Sequence, residues 1–75
     1  MEHELAEVFR AIFELPEDAD VHGLRQLTFP QWDSLAHVTL ISAVENQFER
    51  EIDIEQSLEL TSFEAILIFL EDERS

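Results

Sequence analysis

The sequence predicts an all-α protein: a small four-helix bundle with three longer helices, one short helix and a long loop between the first and second helices. Two stretches repeat apolar residues at helical spacing, and a third is apolar and follows a helix-capping sequence. The one apolar alternation, around residues 52–54, is too short to support a sheet. We therefore expect the 75 residues, 1–75, to form one small domain.

The first helix is predicted over residues 3–14. Its apolar residues follow the spacing of one helix face: Leu5, Val8, Phe9, Ile12 and Phe13. Pro16 ends this helix, because the residue before a proline is disfavoured in the helical conformation. Residues 16–32 then form the predicted long loop. Four apolar residues of the loop are expected to anchor it to the core: Val21, Leu24, Leu27 and Phe29.

The second helix is predicted from Ser34 to about Glu49, with Asp33 as its N-cap. A helical wheel places most of its apolar residues on one broad face: Ala36, Leu40, Ile41, Ala43, Val44 and Phe48. His37 projects into this sector, and we interpret it as a partly buried, hydrogen-bonded histidine. Leu35 and Val38 fall on the other side, which predicts an exposed apolar pair within an acidic surface.

Two further helices complete the predicted bundle. Residues 56–60 form the short third helix, after a connection in which Ile52 and Ile54 are expected to turn inward. The fourth helix begins at Thr61, which can cap it, while Glu64 can bond back in a capping box. Its core stripe contains Phe63, Ile66, Leu67 and Leu70.

The charge of the chain limits its partners. Eighteen acidic side chains stand against four arginines, for a formal net charge of −14. This excess disfavours binding to nucleic acid or to an anionic membrane and favours basic partner surfaces. No apolar run is long enough to span a membrane, and the first residues lack a signal-peptide pattern, so we expect a cytoplasmic protein without membrane insertion.

Cysteine is absent, which excludes disulfides and a zinc-thiolate site within these residues. Any thiol chemistry would have to come from a cofactor. Asp18, Asp20 and Gly23 match three positions of a calcium-binding EF-hand loop. His22 and Phe29, however, stand where that loop requires ligands, so no metal site is predicted.

A catalytic set of Asp33, Ser34 and His37 is rejected. Asp33 is better used as the helix cap, no oxyanion donor is apparent, and a triad is defined by spatial geometry that neighbouring residues cannot establish. We therefore expect a protein that is not an enzyme.

The functional stretch is predicted to be Asp33-Ser34-Leu35, directly after Phe29-Pro30-Gln31-Trp32. A helix N-terminus carries partial positive charge, so a phosphate esterified to Ser34 would lie in a favourable field. The same residues are also consistent with a serine that only begins a helix.

The arrangement resembles the acyl carrier protein family over nearly the whole chain. The residues that carry the resemblance are Asp33-Ser34-Leu35, then Val38, Leu40, Ala43, Glu45 and Phe48 at the family's spacing, then Ile52 and Thr61-Ser62. The resemblance implies that a phosphopantetheinyl transferase, with magnesium, attaches 4′-phosphopantetheine from coenzyme A to Ser34. The terminal thiol of that arm would hold an acyl or aminoacyl group as a thioester.

Departures from the family's pattern concern partners. Trp32 replaces the small residue usual before Asp-Ser in fatty-acid carriers, and Ala36 and Thr39 stand where those carriers often have acids. The chain is similar to discrete carriers with a Trp-Asp-Ser-Leu sequence, which implies a specialised biosynthetic pathway.

Its expected partners are loading and transferring enzymes with basic docking surfaces, and the carrier itself is expected to be a monomer. We predict a docking face in which three residues supply apolar contact and two supply charge: Trp32, Leu35 and Val38, with Glu45 and Glu49.

Two alternatives remain open at this stage. One is a carrier-like helical interaction module that is never modified and acts by docking. The other is a small hydrolase that uses Ser34 as its nucleophile.

Overall fold

The computed structural model describes residues 2–72, and this part of the chain contains four α-helices and no β-strand, which confirms the predicted all-α class. Residue 1 and residues 73–75 of the predicted domain lie outside the described range. The helices are α1 (Glu2–Ile12), α2 (Ser34–Phe48), α3 (Ile54–Ser57) and α4 (Phe63–Asp72), with a 3-10 turn at Gln26–Thr28. None of the described helices is long and apolar enough to cross a membrane.

The two longest helices end through glutamates in the left-handed conformation. Glu14 has φ 54°, and the backbone N–H of Leu15 donates to the Arg10 carbonyl at 2.8 Å. Glu49 has φ 53°, and the N–H of Arg50 donates to the Glu45 carbonyl at 3.0 Å. These bonds satisfy carbonyls left open by the last helical turn, so α1 and α2 stop slightly before their predicted ends.

The predicted starts of α3 and α4 are both displaced. α3 begins at Ile54 rather than residue 56, and its first turn leaves Ile54 exposed instead of turned inward. α4 begins at Phe63, because the Ser62 hydroxyl accepts a hydrogen bond from the Ala65 backbone N–H at 3.0 Å. The predicted cap at Thr61 is therefore wrong by one residue, since Ser62 occupies the capping position.

Phe9 lies at the centre of the core. Its ring contacts those of Phe13, Trp32 and Phe63 at centroid distances of 6.0, 5.4 and 5.1 Å. These contacts join α1 to the long loop and to α4. The buried apolar set is Leu5, Ala6, Phe9, Phe13, Val21, Trp32, Leu40, Ile41, Val44, Leu60, Phe63, Ile66 and Leu70. Predicted core residues Phe48 and Leu67 are half-buried and pack against this set.

The long loop is tied to the start of α4. The N–H of Gln26 donates to the Thr61 carbonyl at 2.8 Å, and the N–H of Phe63 donates to the Leu24 carbonyl at 3.0 Å. Val21 is buried, as predicted, but Leu27 is 92% exposed and the prediction that it anchors the loop is wrong. The reason is the 3-10 turn, whose backbone attachment to Thr61 leaves the Leu27 side chain facing solvent.

Candidate functional site

Ser34 is the first residue of α2, and its side chain is exposed. Asp33 precedes it in an extended conformation and caps the helix, with Oδ1 accepting from the Ala36 N–H at 2.8 Å. The Asp33 carbonyl accepts the first helical bond from His37 N at 2.9 Å. Because Asp33 satisfies the first turn, the Ser34 hydroxyl is not needed as a cap, and it makes no hydrogen bond with the described residues.

Trp32 is buried, with 2% of its surface exposed. Its ring packs edge-on against Phe9 and lies 5.8 Å from the ring of Phe13. The indole N–H donates to Nδ1 of His37 at 3.0 Å. The prediction that Trp32 supplies apolar surface for docking is therefore wrong. An indole has a large apolar surface and one polar N–H group. Here the apolar surface is buried in the core and the N–H donates to His37.

His37 is 8% exposed and uses both ring nitrogens, which confirms the predicted buried, hydrogen-bonded histidine. An indole N–H can only donate, so Nδ1 of His37 is the acceptor and the ring carries its proton on Nε2. Nε2 donates to the Ser57 carbonyl at 2.8 Å. Both nitrogens are thus engaged, and neither is available to take a proton from Ser34.

Leu35 and Val38 are 77% and 64% exposed, as the helical wheel predicted. Glu49 is exposed at the far end of α2. Glu45 is half-buried, and its carboxylate accepts from the Ile52 N–H at 2.7 Å, so it also serves the fold. The role of these four residues in partner binding stays a prediction.

The sequence did not indicate an apolar extension of this surface onto α3. Ile54 and Leu58 are exposed, and α3 itself buries none of its residues. A groove of about 240 Å³ separates α2 from α3, with His37, Val38 and Ile54 among the residues that line it. The missed signal is the spacing of Ile54 and Leu58, which lie one helical turn apart.

The pairing of Trp32 with His37 was also missed. With Asp33 as N-cap, Trp32 occupies the residue before the cap and His37 the fourth helical position. Those are the two positions of a hydrophobic staple, which fixes the angle at which the chain meets the helix. A tryptophan and a histidine five residues apart across a capping aspartate were therefore the available signal.

No group of three or more histidine or acidic side chains among residues 2–72 could hold a metal ion. The loop carboxylate of Asp20 instead accepts from the backbone N–H of His22 at 3.0 Å and lies 3.2 Å from its ring nitrogen. The backbone donor, followed by the ring, lowers the pKa of Asp20.

The site is thus an exposed primary alcohol on a backbone that is anchored on both sides. The buried Trp32 fixes the preceding chain, and the Asp33 cap fixes the following turn. Both nitrogens of His37 are engaged by other groups, so this histidine offers Ser34 no base.

Comparison with known protein families and with curated protein sequences gives no match. The resemblance to acyl carrier proteins stays a prediction from the sequence.

Proposed function

We propose that this protein is an acyl carrier protein, with 4′-phosphopantetheine attached to Ser34 by a phosphopantetheinyl transferase that uses coenzyme A. The observation that carries the proposal is the exposed hydroxyl of Ser34, which lies at the first position of α2 and does not serve as the helix cap. When bound, the arm supplies a thiol that holds an acyl or aminoacyl group as a thioester. Tethering such a group raises its effective concentration for successive enzymes.

The residues at Ser34 fit a phosphate ester. The ester would lie at the N-terminus of a 15-residue helix, where backbone N–H groups favour negative charge. The Asp33 carboxylate already accepts from Ala36 N, which directs one of its oxygens to the helix backbone. The chain has no cysteine, so the arm would provide the only thiol of the modified protein.

The carrier function is favoured over a hydrolase by the position of His37. A serine nucleophile needs a base within hydrogen-bond reach. The two nitrogens of His37 are 3.0 Å from Trp32 Nε1 and 2.8 Å from the Ser57 carbonyl oxygen. We therefore assign the activating base to the transferase rather than to this chain.

The same proposal assigns the surface beside Ser34 to partner enzymes of a specialised biosynthetic pathway. Leu35 and Val38 supply exposed apolar area one and four residues after Ser34. Glu49, together with the net charge of −14, complements a basic docking surface. Glu45 contributes its charge while one carboxylate oxygen remains bonded to Ile52.

The test is intact mass and thiol content after incubation with a broad-specificity phosphopantetheinyl transferase, magnesium and coenzyme A. The wild type is expected to gain the mass of one phosphopantetheine and one titratable thiol. Ser34→Ala should gain neither. Ser62→Ala is the matched control, because Ser62 is also at a helix start but its hydroxyl is used as a cap; this variant should be modified.

Absence of modification with several transferases would contradict the carrier function. The remaining candidate would then be an unmodified interaction module that docks through Leu35 and Val38. In that case Leu35→Ala and Val38→Ala would weaken partner binding, and Ser34→Ala would leave it unchanged.

A further inference from the structure

Three polar groups form a buried chain of hydrogen bonds beside Ser34. The Trp32 indole N–H donates to Nδ1 of His37 at 3.0 Å, and Nε2 of His37 donates to the Ser57 carbonyl at 2.8 Å. The indole and imidazole rings are also stacked, with centroids 6.0 Å apart and an interplanar angle of 27°. The indole–imidazole bond is the buried one, so loss of either partner there leaves an unpaired buried polar group.

This chain of bonds links the two elements that flank Ser34. Trp32 lies two residues before the serine and is fixed in the core through Phe9. His37 lies three residues after it, on the first turn of α2. The bonded pair therefore holds the backbone at Ser34 from both sides.

The same bonds also hold α3 against α2. α3 buries no residue of its own, and hydrogen bonds hold the chain at both of its ends. The Glu45 carboxylate holds the N–H of Ile52 before the helix, and His37 holds the Ser57 carbonyl at its end. Leu60, which is buried, follows one turn later.

We propose that Trp32 and His37 are positioning residues for the modification of Ser34, and that this positioning requires the neutral imidazole. The inference rests on the proposed function of Ser34. A proton on Nδ1 of His37 would face the indole N–H, so two donors would meet and the buried indole would lose its acceptor. The Nε2 bond to Ser57 persists in either protonation state, so acid releases Trp32 and the start of α2 rather than α3.

Two carboxylates of the described residues are placed on the same helix as His37. On its own helix, Asp33 is the cap and Glu45 lies on the wall of the groove that His37 also lines. The groups from α3 and the preceding loop that bond to the ring or line its groove are Ile54, Ser57 and Trp32. Glu45→Gln is therefore the control for acid dependence that arises from a carboxylate in this groove.

Nuclear magnetic resonance of the unmodified wild type tests the bond chain directly. The ring nitrogens of His37 and the indole N–H of Trp32 would be followed between about pH 5 and 8, the range in which histidine changes charge. We expect an Nε2-protonated ring at the high end, and we expect the indole resonance to shift together with the imidazole nitrogens on acidification. A neutral ring that carries its proton on Nδ1, or an indole resonance that does not shift when the His37 ring becomes charged, would overturn the proposal.

Rates of phosphopantetheine transfer test the functional consequence. Dividing the wild-type kcat/KM by that of His37→Gln at each pH removes the transferase's own pH dependence. A glutamine amide can accept from Trp32 and donate to Ser57, but it does not titrate. The ratio is expected to be constant where the resonance experiment shows a neutral His37 ring and to fall where the ring becomes charged, by up to about tenfold per pH unit, the limiting slope for one required deprotonated group.

Trp32→Phe is the second variant, because it keeps an aromatic ring in the core but removes the donor to Nδ1 of His37. We expect kcat/KM of Trp32→Phe to lie below that of the wild type where His37 is neutral and to show no additional loss in acid, whereas Glu45→Gln should keep the acid loss of the wild type. If His37→Gln fails to fold, the ratio of wild type to Trp32→Phe decides the question. Both ratios constant across the range would overturn the positioning role and leave the carrier function intact; a wild type that is never modified would overturn both.

Discussion

Helices α2 and α4 both begin beside a serine, and the two serines are used differently. Ser34 is the first residue of α2 and follows the capping Asp33, so its hydroxyl stays open to solvent. Ser62 is itself the cap of α4, and its hydroxyl accepts from Ala65 N at 3.0 Å. A difference of one position relative to the helix thus decides whether a serine satisfies the backbone or can receive an external group.

The residues that precede the two caps differ as well. Trp32 is buried against Phe9 and bonded to His37, whereas Thr61 is exposed. The chain therefore meets α2 through a side chain held in the core, and it meets α4 through backbone bonds to residues 24 and 26 of the loop. We expect the α2 start to lose far more stability when its preceding side chain is removed.

The largest effect is expected from Trp32→Ala compared with Thr61→Ala. The tryptophan variant should lose about 3–5 kcal/mol of unfolding free energy, because it leaves a cavity and an unpaired Nδ1 on His37. The threonine variant should stay within about 0.5 kcal/mol of the wild type. Urea unfolding followed by circular dichroism measures both, and a loss below about 1 kcal/mol for Trp32→Ala would contradict the buried anchor.

The next effect compares the two serines themselves. Ser62→Ala removes the cap of α4 and should cost about 1 kcal/mol of unfolding free energy. Ser34→Ala removes a hydroxyl without a bonding partner among the described residues and should change stability by less than about 0.5 kcal/mol. Equal losses in the same urea experiment would mean that Ser34 also has a capping role.

A smaller effect is expected from the exposed apolar residues of the two helices. Leu35→Ala combined with Val38→Ala should lower kcat/KM for Ser34 modification about threefold to fivefold, because both changes remove apolar contact with the transferase. A tenfold loss would correspond to about 1.4 kcal/mol. Ile68→Ala, at an exposed position of α4, is the matched control and should keep the wild-type value. If the double variant is modified at the wild-type rate, the docking face around Leu35 and Val38 is wrong.

The smallest effect concerns the loop that leads to α2. The N–H donors of His22 lower the folded pKa of Asp20, so its charged form is favoured by folding. The resulting stabilisation is present above the unfolded pKa, about 3.9, and is lost as the pH falls through the lowered folded value. The urea midpoint of Asp20→Asn should therefore lie below that of the wild type at neutral pH and meet it in strong acid.

Asp18→Asn serves as the control for this comparison, because it removes one negative charge from a protein of net charge −14 at a neighbouring exposed position. The urea midpoint of Asp20→Asn is compared with that of Asp18→Asn. If the midpoint of Asp20→Asn stays lower by the same amount at low pH, the charge of the Asp20 carboxylate is not the cause.

Local sequence patterns predicted the parts of the site that depend on short-range bonds. The Asp33 cap joins residues three apart, and helical periodicity placed Leu35 and Val38 outside the core. Both depend on helix geometry alone, which is the same wherever the helix packs. The side of α2 that faces the core could therefore be predicted, and with it the burial of His37.

Two wrong predictions lie where a distant contact selects the direction of a side chain. Leu27 faces solvent because the backbone beside it is bonded to Thr61, and Trp32 is buried because Phe9 of α1 lies against it. The partner role of Glu45 stays a prediction, but its carboxylate has a second use that was not predicted, as acceptor for the N–H of Ile52. None of these partners is within a helical turn of the residue concerned.

For this protein, the sequence by itself determined the helical class, the start of α2 and the exposed serine at that start. These features follow from composition, periodicity and a capping bond that closes within one turn. Only the tertiary structure decided that Trp32 is buried and that His37 carries its proton on Nε2. It also decided that the end of α3 is hydrogen-bonded to α2 through Ser57. The physical reason is that a buried donor must find an acceptor, and the acceptor available to Trp32 exists only once α2 has packed against the loop and α1.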